Sequence, residues 1–353
     1  MLETYVCHEN ICDIIKWLNE VKNMMNINEG LKDKISYLNK VLLDKYKDLL
    51  SLDRTSFRNF IGENIGSIKK LEKLTKEQLS QYAKKGGILG VDGSNNRMGG
   101  AYPHFVEIYQ GLAKSTIHKD KPIYKTDFFT PLYTEKENSL LENQMEAQES
   151  IRQRKLSTIE VEAALEGIHK LNPYAVIMDG SLIRYDIECF DRWMELRKEC
   201  ESRGIILIGV IKDIKTSIIG DLLRKDKSLG IKECFHDREL LYGLLEYGEI
   251  IPIHADVTKK TEEGFSSLFM RSSQAPTVIG MDILDSQKNH LEEMARLVLS
   301  LTPEDGRGVP LWIDMVDSEV KIPDQMIRGL LESYLNRDIL EMLFICERDK
   351  RTL

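Results

Sequence analysis

Two aspartates stand where chemistry could be done. Asp92 closes the apolar run Ile88-Leu89-Gly90-Val91. Asp179 closes Tyr174-Ala175-Val176-Ile177-Met178, and each is followed at once by Gly and Ser. Short apolar runs bounded by turn residues are the pattern of buried strands. A carboxylate at the end of such a strand is held rigidly at the sheet edge and stays open to solvent or a cation. Asp and Gly also favour plain turns, so one such tripeptide would mean little. The same tripeptide at two strand ends points to carboxylates on neighbouring strands and a divalent-cation site.

Further charged residues are spaced to complete that site. The run Ile205–Ile211 ends in Lys212, which either closes the strand into solvent or holds a scissile phosphate and offsets leaving-group charge. A charged helical stretch, Ser139 to Leu171, precedes the second aspartate strand and carries Glu160, Glu162 and Glu166. Running antiparallel to that strand, it could return Glu160 or Glu162 over Asp179. Helical spacing puts Glu162 and Glu166 on one face and Glu160 on another. Asp314 and Asp317 follow the loop Gly306-Arg307-Gly308-Val309-Pro310. Carboxylate oxygens suit Mg²⁺ or Mn²⁺, and two such ions about 4 Å apart would activate water and stabilise the leaving oxygen of a phosphodiester.

Competing chemistries lack their residues. There is no Gly-x-x-x-x-Gly-Lys-Ser/Thr phosphate loop, no Gly-x-Ser-x-Gly elbow and no His-x-x-x-His pair among the seven histidines. The six cysteines are scattered with no Cys-x-x-Cys pair, which argues against zinc and redox motifs.

The elements that must position these residues read as a helical N-terminal region, 1–85, then an α/β domain, 86–325, then a helical tail, 326–353. The first region keeps helical spacing at Ile11, Ile14, Ile15, Leu18 and Val21, and again at Leu31, Ile35, Leu38, Leu42 and Leu49. Gly86-Gly87 closes its last charged stretch. Asn95–Gly100 reads as a turn joining the first aspartate strand to a second strand, His104–Ala113, and Asp237 reads as the N-cap of a short helix. Strands are also expected at 250–254, 267–271 and 277–284, with a helix over 288–301. The chain has 353 residues, 42% hydrophobic and 30% charged, with a net charge of −8. That composition belongs to a globular protein with a core of its own and argues against a non-specific nucleic-acid coat, which would be basic. Neither a bilayer-spanning run nor a secretory start is visible, so a cytoplasmic location is expected.

The sequence resembles the NurA family of DNA-end-processing nucleases. Val91-Asp92-Gly93-Ser94, Met178-Asp179-Gly180-Ser181-Leu182 with its preceding Glu-bearing helix, and Gly209-Val210-Ile211-Lys212 with Ser217 carry the resemblance. His236–Leu241 with Gly248-Glu249, and Val309–Ile322, extend it over about residues 86 to 325. The resemblance implies an RNase H-like mixed sheet flanked by helices and a Mn²⁺-dependent (Mg²⁺ possible) deoxyribonuclease of DNA repair. It further implies 5′–3′ exonuclease action with single-strand endonuclease activity, a homodimer, and a HerA-type hexameric ATPase as partner. Carried over by position, Asp92 and Asp179 are metal ligands, Glu160 or Glu162 is the helical ligand, and Lys212 contacts phosphate. The late ligand, often His in the family, falls on Asp317, with Asp314 the alternative. A relative that binds the motor or DNA without cutting is the rival reading, favoured by the departure at Asp317 and by the acidic charge. A nucleotide-binding α/β enzyme ranks below both.

Overall fold

The computed structural model describes residues 29–133, 144–226, 229–231 and 233–345. The helical spacing at Ile11–Val21, the start of the charged stretch at 139–143 and the charged cluster at 347–351 lie outside them. The strands are β1 (Lys69–Lys70), β2 (Ile88–Gly99), β3 (Phe105–Ser115), β4 (Ile123–Phe129), β5 (Ala175–Asp179), β6 (Ile206–Ile211), β7 (Glu249–Pro252), β8 (Phe265–Met270) and β9 (Ile279–Leu284). Among the described residues these form one mixed sheet in the order β1-β7-β8-β9-β6-β5-β2-β3-β4. The central trio β2, β5 and β6 is parallel, and the outer pairings are antiparallel.

Helices sit on both faces, as continuous apolar strands require. In chain order they are α1 (Glu29–Leu50), α2 (Arg54–Asn64), α3 (Lys76–Lys84), α4 (Gln144–Leu171), α5 (Leu182–Glu188), α6 (Phe190–Arg203) and α7 (Ile218–Lys225). They continue with α8 (Asp237–Leu241), α9 (Leu291–Leu301), α10 (Leu311–Val320), α11 (Asp324–Tyr334) and α12 (Arg337–Leu343). The strand period of two sends alternate side chains to opposite faces. Leu89, Val91, Val176, Met178 and Leu207 pack under α4 and α6, through residues such as Val161, Ile168 and Trp193. Ile177, Ile208, Val210 and Met281 face the other way, against Met294, Leu297 and Val298 of α9 and Ile313 of α10. The fold is thus the expected RNase H-like α/β architecture. No helix among the described residues is long and apolar enough to cross a membrane.

The strand end expected at Asp92 and the turn expected at Asn95–Gly100 are not there. β2 runs on to Gly99, because β3 continues the ladder beside it from Asp92↔Leu112 through Ser94↔Gln110 to Gly99↔Phe105. The hairpin forms as expected, with its turn displaced to residues 100–104. What stops near Asp92 is the neighbour on the other side, since the last β2–β5 rung is Val91↔Met178. Asp92 therefore lies inside a strand but beside the end of β5.

Packing also crosses position 85. β1 pairs with β7, and Phe57, Phe60, Ile61 and Ile65 share a core with Ile251 and Phe269. Leu71, Leu74 and Tyr82 join the core under α9. Arg58 donates to both oxygens of Glu249 at 2.8 Å. The apolar residues Leu31, Ile35, Leu38 and Leu42 of α1 are exposed, while Tyr46 and Leu49 near its end pack against the body.

Candidate metal centre

Asp92, Asp179 and Asp317 converge, their carboxylate oxygens within 4.8 Å of one another. The first two stand one residue beyond the Val91↔Met178 rung and at the end of β5. Both point to the face covered by α10, because Asp92 shares its side of β2 with Gly90, and Asp179 shares its side of β5 with Ile177. Gly90 is what allows α10 to come so close: a Cβ there would lie 2.8 Å from Cδ1 of Trp312. Trp312 also donates its indole N–H to the Lys114 carbonyl at 2.9 Å, and Trp312, Val316 and Val320 pack on Leu112. That anchoring sets Asp317 over the strand ends.

Lys212 follows β6 on the same face and donates to Oδ2 of Asp179 at 2.5 Å. Lys321, one turn beyond Asp317, donates to it at 2.8 Å. The three carboxylates exceed the charge these two lysines supply. Asp92 is buried and accepts from the Gly93 N–H at 2.8 Å. Burial, then the charges of Asp179 and Glu160, push its carboxyl up to about 9. Burial raises Asp179 too, against the pull of Lys212. For Asp317 burial works the same way but is outweighed by Lys321 and Lys212, so its carboxyl stays below the usual range. An all-oxygen cluster that holds a proton near neutral pH because it is buried and its charges crowd one another fits a hard divalent cation. The donors match Mg²⁺ or Mn²⁺.

The NurA domain pattern matches residues 86–322. The chain belongs to the NurA family. The NurA nuclease of Sulfolobus solfataricus has a similar structure, at 13% identity and a TM-score of 0.53, covering 88% of this chain and 98% of that one. Endonuclease V of Bacillus subtilis aligns at 12% identity and a TM-score of 0.39, over 79% and 91% of the two chains. Endonuclease V of Streptomyces avermitilis aligns at 14% and 0.32, over 74% and 95%. No curated protein sequence matches. NurA is a nuclease family, and its pattern spans the whole carboxylate cluster.

The residues at the two open choices in this NurA-family chain are placed differently. Glu160 is buried and approaches the cluster from the opposite face of the sheet, over Gly93, where a Cβ would lie 2.5 Å from its Oε1. It is bound there by Arg184 and by the Tyr185 hydroxyl at 2.6 Å. Burial drives its carboxyl upward and these two partners oppose that. Glu162 instead pairs with Arg192 of α6 at 3.5 Å. On α10, Asp317 joins the cluster, while Asp314 binds Arg307 at 2.6 Å.

Neighbours that the sequence did not single out surround the site. Arg184 and Tyr185 follow the second Asp-Gly-Ser directly, yet nothing in their spacing announces the contact with Glu160. Asp282, on β9, is fully buried and accepts from Ser181, Ser267 and Lys260 at 2.5–2.8 Å. Asp237 does not cap its own helix. It accepts from Ile218 and Ile219 N–H at 3.0 and 2.8 Å and from the Thr216 hydroxyl at 2.5 Å, so it caps α7 and ties down the loop after Lys212.

Proposed function

We propose that this chain hydrolyses DNA phosphodiester bonds with a divalent cation held by Asp92, Asp179 and Asp317. The observation that carries the reading is the convergence of these carboxylates from two adjacent parallel strands and a covering helix. When bound, the cation supplies Lewis acidity and a nucleophilic water at neutral pH. The chain's own residues do the rest. Asp92 gives up its proton as the cation binds. Lys212 orients Asp179 and presents a positive charge for a non-bridging phosphate oxygen. Glu160 lies beyond Gly93, locked by Arg184 and Tyr185, and adds negative potential that strengthens cation binding from the far face of the sheet.

The finer reading follows the family resemblance. The cation is Mn²⁺, with Mg²⁺ a substitute, and cleavage is 5′–3′ exonucleolytic with single-strand endonuclease activity. The chain works in the cytoplasm as a homodimer beside a HerA-type hexameric ATPase, in repair of DNA ends. Incubation of the chain with linear single- and double-stranded DNA under Mn²⁺, Mg²⁺ or chelator tests it, alone and with the ATPase. Cleavage that needs the metal and disappears in Asp92→Asn supports the proposal, and full cleavage by that variant defeats it.

One observation favours the rival scaffold reading. Glu160 is engaged by Arg184 and Tyr185 instead of standing free beside the aspartates. DNA binding with no cleavage under any cation would establish that reading.

A further inference from the structure

A cavity of about 440 Å³ opens beside the carboxylate cluster; Asp179 belongs to both, and its ion-pair partner Lys212 also lines the cavity. Its volume falls in the range of small-molecule sites, about 300–1,000 Å³. That is room for one nucleoside. Most of its surface is apolar, from Ile183 of α5, Ile211 of β6, Ile218 of α7, Ile253 after β7, and Leu268 and Phe269 of β8. Lys212, Lys215 and Arg184 supply positive charge to its lining.

Several polar groups lining the cavity are already engaged by protein partners. Ser181 donates to Asp282 at 2.5 Å and accepts from Lys260 at 3.1 Å. Lys260 spans both oxygens of Asp282 at 2.7 and 2.8 Å, and Ser267 donates to Asp282 at 2.7 Å. Thr216 donates to Asp237. These groups are committed, so the cavity offers apolar contact and shape in place of a donor–acceptor pattern that would select one base edge.

Resting on the nuclease reading above, we infer that this cavity receives the unpaired nucleoside next to the scissile phosphate, whichever base it carries. A phosphate at the shared Asp179–Lys212 edge places its attached sugar and base at the mouth. The base leaves water for the isoleucine walls, while Lys212 and Lys215 face the flanking phosphates. Entry requires the base to be unpaired, which costs a few kcal/mol in a duplex and least in a frayed or single-stranded end. The cavity thereby makes the strand end, or a single strand, the preferred substrate with no readout of sequence.

The test moves a single abasic residue stepwise along a short single-stranded oligonucleotide and measures binding to the full chain by anisotropy in Ca²⁺. The expected result is one position where loss of the base weakens binding about tenfold, for purine and pyrimidine alike. Ile218→Trp and Ile183→Trp fill the cavity from different walls and should each erase that sensitivity, with melting temperature confirming that each is folded. Absence of any sensitive position, no binding, or retention of the sensitivity in both folded Trp variants overturns the inference. Cleavage of the same oligonucleotides in Mn²⁺ is scored separately. Base-sensitive binding without cleavage keeps the cavity and removes the nuclease reading, and cleavage without base-sensitive binding does the reverse.

Discussion

Asp92 and Asp179 stand side by side on parallel strands, one residue past the last rung of the ladder that joins β2 to β5. Burial of Asp92, and after it the crowding charge of Asp179, raise that carboxyl to about 9 from 3.8. The proton held there must leave when a cation binds. Apparent affinity for Mn²⁺ should therefore rise by about tenfold per pH unit between about pH 6 and about pH 8. Calorimetric titration at several pH values checks this, and a flat profile would show that no proton is displaced.

Asp92→Asn should have opposite effects on stability and activity. A folded-state pKa above the unfolded value makes a contribution that is intact below the unfolded pKa and is lost as pH rises towards the folded pKa. The metal-free wild type should thus lose stability relative to Asp92→Asn as pH climbs from about 4 to about 9. At alkaline pH without metal the variant should melt at the higher temperature. Added Mn²⁺ at a hundred times its dissociation constant should stabilise the wild type by about 2.7 kcal/mol and the variant far less. Cleavage should fall by about two orders of magnitude or more in the variant.

The central strands were legible in the sequence because they are buried on both faces and so read as unbroken apolar runs. Lys212 and the two aspartates, which follow or interrupt those runs, were visible for the same reason. The extent of β2 was not, since Asp-Gly-Ser carries the chemistry of a turn and only the ladder to β3 keeps it extended. Glu160 and Glu162 could not be separated by helical spacing alone. What distinguishes their positions is Gly93, whose missing side chain lets α4 approach at Glu160, and that contact joins residues far apart in the chain. Asp237 was misplaced because a cap is defined by the N–H groups it meets, and those belong to α7.

Asp237→Ala should expose how far the loop after Lys212 depends on that buried carboxylate. The substitution strips the partners from Ile218 and Ile219 N–H and from the Thr216 hydroxyl. Leaving such groups unpaired costs about 1–3 kcal/mol, readable in a denaturant titration. Since the loop lines the cavity but contributes none of the three aspartates, metal affinity should hold while DNA binding weakens. Equal losses of both would mean that the loop also shapes the metal site.

The Glu160–Arg184 pair should respond asymmetrically to truncation. Glu160 has 1% of its side chain exposed and Arg184 has 31%, so only the arginine retains substantial contact with water. Arg184→Met leaves a buried carboxylate whose remaining partner is the Tyr185 hydroxyl, and breaking a buried pair in this way costs about 3–5 kcal/mol. Glu160→Gln keeps a hydrogen-bonding oxygen for Tyr185 and leaves a guanidinium that can hydrate, which should cost about 1 kcal/mol. The double variant should fall well short of the sum of the two, because the stranded charge that makes Arg184→Met costly is then absent. Chemical denaturation of the four proteins measures the cycle. Additive losses would show that Arg184 supports α5 through packing alone and that its charge does not hold Glu160 in place.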